Sequence, residues 1–337
     1  MKNNSLELSL NDTMLLKGVA LLLLLAHHLF YQGIGYNDVH LYGSHYLVKE
    51  IGIISKLCVA IFVFLSGYGL TVNAEKSLTS LKTFYVHRFV KLMANYWFIW
   101  IIFVPIGVFV FNRTFQDVYG DHVFIKFILD FCGLISTFGT LGYNATWWFY
   151  SLIIILYLLF PFIYKLAKEK PILLLTLSLI LYFIPVYAII GFRWHTIAFV
   201  MGVISCLYIK NKPYFGRLGG GIFIVLLIER IFTKEPILHD SILVLVMVIV
   251  YKNIQLKNPL YNALIFIGKH SMNIFLFHTF IFYYWFRDEI YASHNPLIVF
   301  LLLLSTCIII SIILEYIKRV IHFETLLKKL IHYYDNN

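Results

Sequence analysis

The chain has 337 residues, of which 61% are hydrophobic and 13% are charged, and its mean hydropathy is +0.82. Soluble globular domains are roughly 25% charged, so this composition excludes an ordinary soluble domain and favours a membrane protein. The formal net charge of +10 is weak support for nucleic-acid binding, because most lysines and arginines lie between apolar segments. No nucleic-acid partner is therefore predicted.

The apolar segments predict the fold class, an all-α polytopic transmembrane helical bundle of about ten spanning helices. A spanning helix needs about 20 predominantly apolar residues, and an apolar run of this length in lipid must be helical to satisfy its backbone. One transmembrane domain is expected over residues 1–317, followed by a basic amphipathic cytoplasmic tail over residues 318–337. The predicted spans are residues 13–33, 51–72, 92–111, 147–164, 171–190, 194–209, 218–232, 238–252, 262–284 and 296–317.

The loops alternate between rich and poor in lysine and arginine. The richer set includes both chain ends, and positive charge marks the cytoplasmic side. Both termini are therefore predicted inside, in a multi-pass protein of the bacterial cytoplasmic membrane. The longest outer loop is residues 112–146. No metal is expected, because the four cysteines lack metal or redox spacing; they are Cys58, Cys132, Cys206 and Cys307.

Two ionisable residues share one face of the first predicted helix. Lys17 and His28 are eleven positions apart in the sequence, which is three turns plus about 20° and about 16 Å along the axis. Ionisable groups at membrane depth suggest function by default. The alternatives are that Lys17 reaches to the membrane surface from a helix end and that His28 is a packed polar residue.

The second helix and the inner loop after it carry the next candidates. Ser66 and Gly67 are small residues that would let helices approach closely, so this segment is either a packing seam or part of a site. Arg88 and Lys91 place two cations one helical turn apart at the predicted inner rim. Such a pair suits a phosphate group, although it would equally serve as a positive-inside anchor.

Later helices add aromatic and basic candidates. Trp148 opens the fourth span and Tyr157 follows on it, where an aromatic belt at the membrane surface is the alternative explanation. On the ninth span, His278 lies at roughly the depth expected for His28. Lys56, which enters from the outer side on the second helix, is near that level as well.

Taken together in chain order, these motifs make the sequence resemble the acyltransferase-3 family of integral membrane O-acyltransferases. The resemblance covers essentially the whole chain. Each motif alone is weak, whereas five in the order of the family on a ten-helix frame are specific. One departure is Ile153, where many relatives have an acidic residue. The matching positions are Lys17 and His28, residues 64–68, Arg88 and Lys91, Trp148 with Tyr157 and Pro161, and residues 271–278.

The resemblance implies transfer of an acyl group, with acetyl preferred, from cytoplasmic acetyl-CoA to a hydroxyl of a cell-envelope polysaccharide or lipid-linked glycan. No hydrolase-like domain is appended, so we expect the chain to complete the transfer itself or with a separate extracytoplasmic partner. Membrane lipid and a homo-oligomer are further expected partners. The implied catalytic residues are His28 and His278, the donor-binding residues are Lys17, Arg88 and Lys91, and the substrate-binding or oxyanion residues are Lys56, Ser66, Trp148 and Tyr157.

Two other classes of function remain open at this point. A transporter or lipid flippase would line its path with the same buried charges. A sensory or scaffolding membrane protein would need none of the buried histidines. A cationic pair at the inner rim in register with a buried histidine favours the acyltransferase.

Overall fold

The computed structural model describes residues 7–31, 39–41, 44–184, 191–209, 216–232, 237–253 and 258–336. Longer apolar helices alternate with short helices in the connections. Two of the longer helices continue into π-helical turns, Ser205–Ile209 and Phe280–Trp285. The α-helices in chain order are α1 (Leu10–Phe30), α2 (His45–Ser55), α3 (Leu57–Val72), α4 (Ala74–Ser77), α5 (Leu81–Phe109), α6 (Phe115–Tyr119), α7 (Val123–Phe131), α8 (Trp148–Glu169), α9 (Pro171–Phe183), α10 (Phe192–Ile204), α11 (Gly216–Phe232), α12 (Ile237–Asn253), α13 (Asn258–Thr279), α14 (Arg287–Tyr291), α15 (Pro296–Val320) and α16 (Phe323–Asn336).

Every predicted span coincides with a helix, but seven helical segments of the described chain are long and apolar enough to cross a membrane. The remaining three, α9, α11 and α12, have 13, 17 and 17 residues. The structure confirms a polytopic helical membrane protein, while ten crossings and the sidedness stay predictions. Residues 32–33 and 185–190 of the predicted spans lie outside the described residues. The seven segments are Leu10–Phe30, His45–Val72, Leu81–Phe109, Ala145–Glu169, Phe192–Ile209, Asn258–Trp285 and Pro296–Val320.

The start of α5 differs from the prediction. The helix begins at Leu81 rather than near residue 92, with the Ser80 side chain accepting a hydrogen bond from the Thr83 N–H as an N-cap. Hydropathy excludes the polar stretch before residue 92, whereas nothing in that stretch breaks a helix. Arg88 and Lys91 therefore lie on the first turns of a long helix, one turn apart.

Helices α1 and α13 form the centre of the bundle, and two glycines set their distance. A Cβ atom added to Gly18 would lie 2.1 Å from the Leu264 carbonyl oxygen, and one added to Gly268 would lie 1.8 Å from the Met14 oxygen. Both substitutions would collide with backbone, so the two helices touch along their main chains. This contact places the histidines of the two helices next to each other further along.

The two ends of the bundle differ in charge. Leu8, just before α1, donates its N–H to the Tyr68 hydroxyl at 3.0 Å, so α1 begins where α3 ends. The short connection from α3 through α4 to α5 lies at this end and carries Lys76, and Arg88 and Lys91 follow on the first turns of α5. We call it the basic end; α1 finishes at the opposite end.

The second predicted span is broken at Lys56, between α2 and α3. A helix that stops inside a bundle leaves backbone carbonyls without partners. Here the His27 ring nitrogen Nδ1 donates to the Gly52 carbonyl at 2.8 Å, and Arg230 Nη2 donates to the Ile53 carbonyl at 2.8 Å. Arg230 is buried and forms an ion pair with Asp240 at 2.7 Å. Two side chains distant in sequence thus stabilise the break.

The long loop after α5 folds back along the bundle. Trp97 Nε1 donates to the Phe131 carbonyl at 2.8 Å, about 18 Å down α5 from its final residue. A loop that returns to such depth is tolerated when its backbone is buried in protein. Buried Asp130 accepts hydrogen bonds from the Tyr96 hydroxyl at 3.2 Å and the Tyr119 hydroxyl at 2.6 Å, which fixes the loop against α5.

The predicted tail boundary falls within α15, which continues to Val320 before α16 begins. Lys318 is buried rather than exposed at an inner surface. Its Nζ donates to Glu315 at 2.9 Å, to Asn273 on α13 at 2.8 Å and to Asn95 on α5 at 2.9 Å. This network joins three helices, because a buried ammonium needs oxygen partners on several sides.

Candidate active site

Two histidines from the central helices form a hydrogen-bonded pair. His28 Nδ1 lies 2.7 Å from His278 Nε2, and the two rings are within 3° of coplanar. His278 Nδ1 lies 2.9 Å from the Ile274 carbonyl and 3.0 Å from the Phe275 carbonyl. A carbonyl only accepts, so His278 Nδ1 carries a hydrogen and its Nε2 accepts from His28 Nδ1–H in the neutral pair.

The lone pair of the dyad therefore lies on His28 Nε2. Among the described residues, no hydrogen bond to this atom is found. His278 is fully buried, whereas His28 is partly accessible. Phe282 stacks against both rings, at 6.5 Å from His28 and 6.0 Å from His278. An oriented imidazole with a ring nitrogen that has no hydrogen-bond partner among the described residues is the geometry of a general base.

His27 points about 100° away from His28 around α1, so it contacts other residues. It is buried, and its Nδ1 donates to the Gly52 carbonyl at the α2–α3 break. Its ring stacks on Tyr31 at 5.1 Å. His27 therefore stabilises the packing of α1 on α2, next to the histidine pair.

Lys17 lines a cavity of about 130 Å³ between α1, α3, α8 and α13. In the described part of the chain its ammonium forms no ion pair or hydrogen bond. An unpaired cation in an enclosed, mainly aromatic cavity favours an anionic or strongly polar ligand. The wall also contains Ser66, Tyr157 and Phe275, and the Phe275 ring centroid lies 6.5 Å from that of His278.

Arg88 and Lys91 line a second, polar cavity at the basic end, with a volume of about 450 Å³. Lys76 and His87 line it as well. The described residues provide no carboxylate partner for Arg88 or Lys91, and the nearest recorded contact of the Arg88 guanidinium is the Phe84 ring at 5.9 Å. The pocket is therefore cationic and suited to phosphate groups.

An apolar groove between α5 and α8 lies beside both cavities. It has a volume of about 290 Å³ and shares Arg88 with the cationic pocket. It shares Leu92 and Tyr157 with the Lys17 cavity. Neighbouring pockets that share lining residues thus extend in series from the surface cations to half-buried Lys17. Phe275 lies between the Lys17 cavity and His278.

The other predicted site residues are divided between this path and the opposite end. Ser66 and Tyr157 line the Lys17 cavity, and the Ser66 hydroxyl donates to the Phe62 carbonyl at 2.9 Å. Trp148 instead stacks on His195 at 5.9 Å. Lys56 lies at the α2–α3 break, within electrostatic range of His27 and His195. Ile153 is part of the cavity wall, so no carboxylate faces Lys17 from that position.

Sequence reasoning missed two side chains that support His278. Trp147 Nε1 and Asn144 Nδ2 both donate to the Leu276 carbonyl, at 2.9 Å and 3.1 Å. Both are buried, and they attach the start of α8 to α13 two residues before His278. The adjacent tryptophans were the only sequence signal, and the motif spacing selected Trp148 instead.

The comparison with protein families identifies the family of the chain. A family model described as an acyltransferase domain matches residues 11–316. The chain belongs to the acyltransferase-3 family. The match covers α1, α3, α5, α8 and α13, which carry the candidate residues, and it confirms the resemblance drawn from the motifs. This membrane acyltransferase has no match among curated proteins or among solved structures.

Proposed function

We propose that this acyltransferase is an O-acetyltransferase of the bacterial cytoplasmic membrane. It would move an acetyl group from cytoplasmic acetyl-CoA to a hydroxyl of an envelope polysaccharide or lipid-linked glycan. The observation that carries the proposal is the His28–His278 pair, toward which a series of pockets extends from the basic end, with Arg88, Lys91 and Lys17 in their walls. With the orientation expected from the loop charges, donor and acceptor would reach the pair from opposite sides of the membrane.

Arg88 and Lys91 are the proposed ligands of the donor phosphates. Coenzyme A is highly anionic and does not cross a bilayer, so its phosphates would stay at the membrane surface. Lys17 lies about 16 Å from His28 along α1 and would hold a polar group of the thin pantetheine arm. The thioester would then lie beside the histidine pair.

His28 is the proposed general base. Its Nε2 would take the proton of the acceptor hydroxyl as that oxygen attacks the thioester carbonyl. The His28 Nδ1–H bond to His278 would strengthen as His28 becomes cationic, because charge-assisted hydrogen bonds are stronger than neutral ones. The proton would then pass from His28 to the departing thiolate, giving the ester and free coenzyme A.

His278 is proposed to orient His28 rather than to donate to the oxyanion. Both of its ring nitrogens are already engaged, one with main-chain carbonyls and one with His28. Lys56 and Ser66 stay candidates for contacts with acceptor or oxyanion. An acetyl-His28 intermediate, formed through Nε2, is an alternative route with the same residue.

The rival function is a transporter or flippase with the same buried cations. Release of free thiol from acetyl-CoA by the purified protein separates the two. We expect slow release without acceptor, since water can replace the hydroxyl in an enzyme site. A protein that binds acetyl-CoA and releases no thiol, with or without envelope glycan, would support transport and contradict the proposal.

The donor pocket gives a second expected result. Arg88→Gln and Lys91→Gln should each weaken acetyl-CoA binding by roughly ten- to a hundred-fold, because a hydrogen bond to a charged group is worth about 1.5–3 kcal/mol. Calorimetric titration of the purified variants measures the loss. Lys82→Gln is the matched control, since Lys82 is an exposed cation on the same helix outside the pocket lining. Unchanged affinity in both pocket variants would make the pair a membrane anchor.

A further inference from the structure

Helix α16 is attached to α5 at two separated points. Near its start, the Phe323 ring lies 5.5 Å from the Phe98 ring. Near its end, Asp335 forms an ion pair with His87 Nε2 at 2.9 Å. The two helices therefore run antiparallel, fixed at both ends over about three turns of α5.

Between these attachments the helices do not close on each other. They leave a groove with a volume of about 580 Å³. On the α5 side, Phe89 meets Trp97 edge-on at 6.1 Å and forms part of the wall. The groove is open along one side, so an apolar chain from the surrounding lipid can enter it. The groove lining is Val86, Phe89, Val90, Ala94, Trp97, Phe98, Ile101, Ile321, Phe323, Leu327, Leu330 and Tyr334.

The two helices that form the groove carry more positive than negative side chains. Helix α5 has no acidic residue along its length, and its Lys82 lies outside the lining of the donor pocket. Helix α16 adds Lys328 and Lys329, both exposed, and has the acidic residue Glu324 in its first turn. The acidic residue nearest the basic end, Asp335, is already paired with His87. A ligand with an apolar chain and a negative head matches this arrangement, because basic residues at a membrane surface attract anionic lipids.

We infer that the α5–α16 groove binds one acyl chain of an anionic phospholipid, with its phosphate near the surface lysines. The chain occupies the apolar gap, and the tail helix becomes a lipid-dependent part of the bundle. This inference does not rest on the proposed reaction, since the groove is lined by none of the residues assigned to donor or acceptor.

Trp97 in the groove wall provides a direct probe. The purified full chain is placed in phosphatidylcholine nanodiscs that contain a small fraction of phosphatidylglycerol brominated on its acyl chains. Bromine quenches nearby tryptophan fluorescence, and the difference between wild type and Trp97→Phe isolates Trp97. We expect Trp97 to be quenched more strongly than by the same fraction of brominated phosphatidylcholine.

Three variants locate the lipid. Ala94→Phe places a ring in the groove and should remove the selective quenching of Trp97. Ala263→Phe, at an exposed alanine on α13, is the matched control and should retain it. Lys328→Gln with Lys329→Gln should lower the preference for phosphatidylglycerol, by roughly fivefold for each cation removed.

Equal quenching by the two brominated lipids would mean ordinary contact with surrounding lipid and would overturn the inference. Selective quenching that survives Ala94→Phe would place the anionic lipid outside the groove and would overturn it as well. Binding of acetyl-CoA by each variant shows that the fold is intact.

Discussion

His28→Gln should remove nearly all acetyl transfer while leaving donor binding intact. Glutamine keeps the size and hydrogen-bonding capacity of the side chain and lacks a nitrogen that can take a proton. Loss of a general base typically lowers the rate by about 10²–10⁴-fold. The release of thiol from acetyl-CoA by purified protein measures the rate, and calorimetric titration measures donor affinity.

His27→Asn is the matched control for this experiment. The neighbouring His27 donates its Nδ1–H to the Gly52 carbonyl at the α2–α3 break. The amide of an asparagine can still donate a hydrogen bond near that position. Transfer should therefore continue at a rate close to wild type. If the His28→Gln variant binds donor normally and stays highly active, His28 has only a structural hydrogen-bonding role. His278 would then be the better candidate for the general base.

The path from the surface cations to the histidines was partly predictable because it depends on local periodicity. Lys17 and His28 share a helix face at any packing of α1, since the angle of about 100° per residue is fixed by helix geometry. Arg88 and Lys91 lie one turn apart for the same reason. The direct contact between His28 and His278 required more, because it joins residues 250 positions apart through the glycine contact of α1 with α13.

The buried ion pairs were not predictable from charge patterns. Arg230 lies two residues before the end of the predicted span 218–232 and Lys318 opens the predicted cytoplasmic tail, positions where the positive-inside rule places cations at a membrane surface. The structure buries both. Arg230 caps a helix break that hydropathy cannot locate, and Lys318 joins three helices whose neighbours are set by tertiary packing. Hydropathy reports the depth of a segment and carries no information about its partners.

The division of roles within the histidine pair leads to a second large expected effect. His278→Phe keeps the packing against Phe275 and Phe282 and removes the acceptor for His28 Nδ1–H. The tautomer and orientation of His28 would then be unfixed. In serine proteases, disturbing the partner that fixes the base lowers kcat by about 10⁴-fold. A neutral imidazole is a weaker partner than a carboxylate, so we expect a loss of about 10²-fold here.

His278→Gln separates orientation from proton transfer. The side-chain carbonyl of glutamine can accept from His28 Nδ1–H near the position of the imidazole Nε2, but it cannot hold a proton at neutral pH. If His278 orients His28, the glutamine variant should be at least roughly tenfold more active than the phenylalanine variant, in line with one hydrogen bond of about 1.5 kcal/mol. The KM for acetyl-CoA should be unchanged in both, because His278 lies beyond the cavity that Lys17 lines. Equal and severe losses in the two variants would instead mean that His278 itself accepts the proton, and wild-type rates in both would mean that it only fills space.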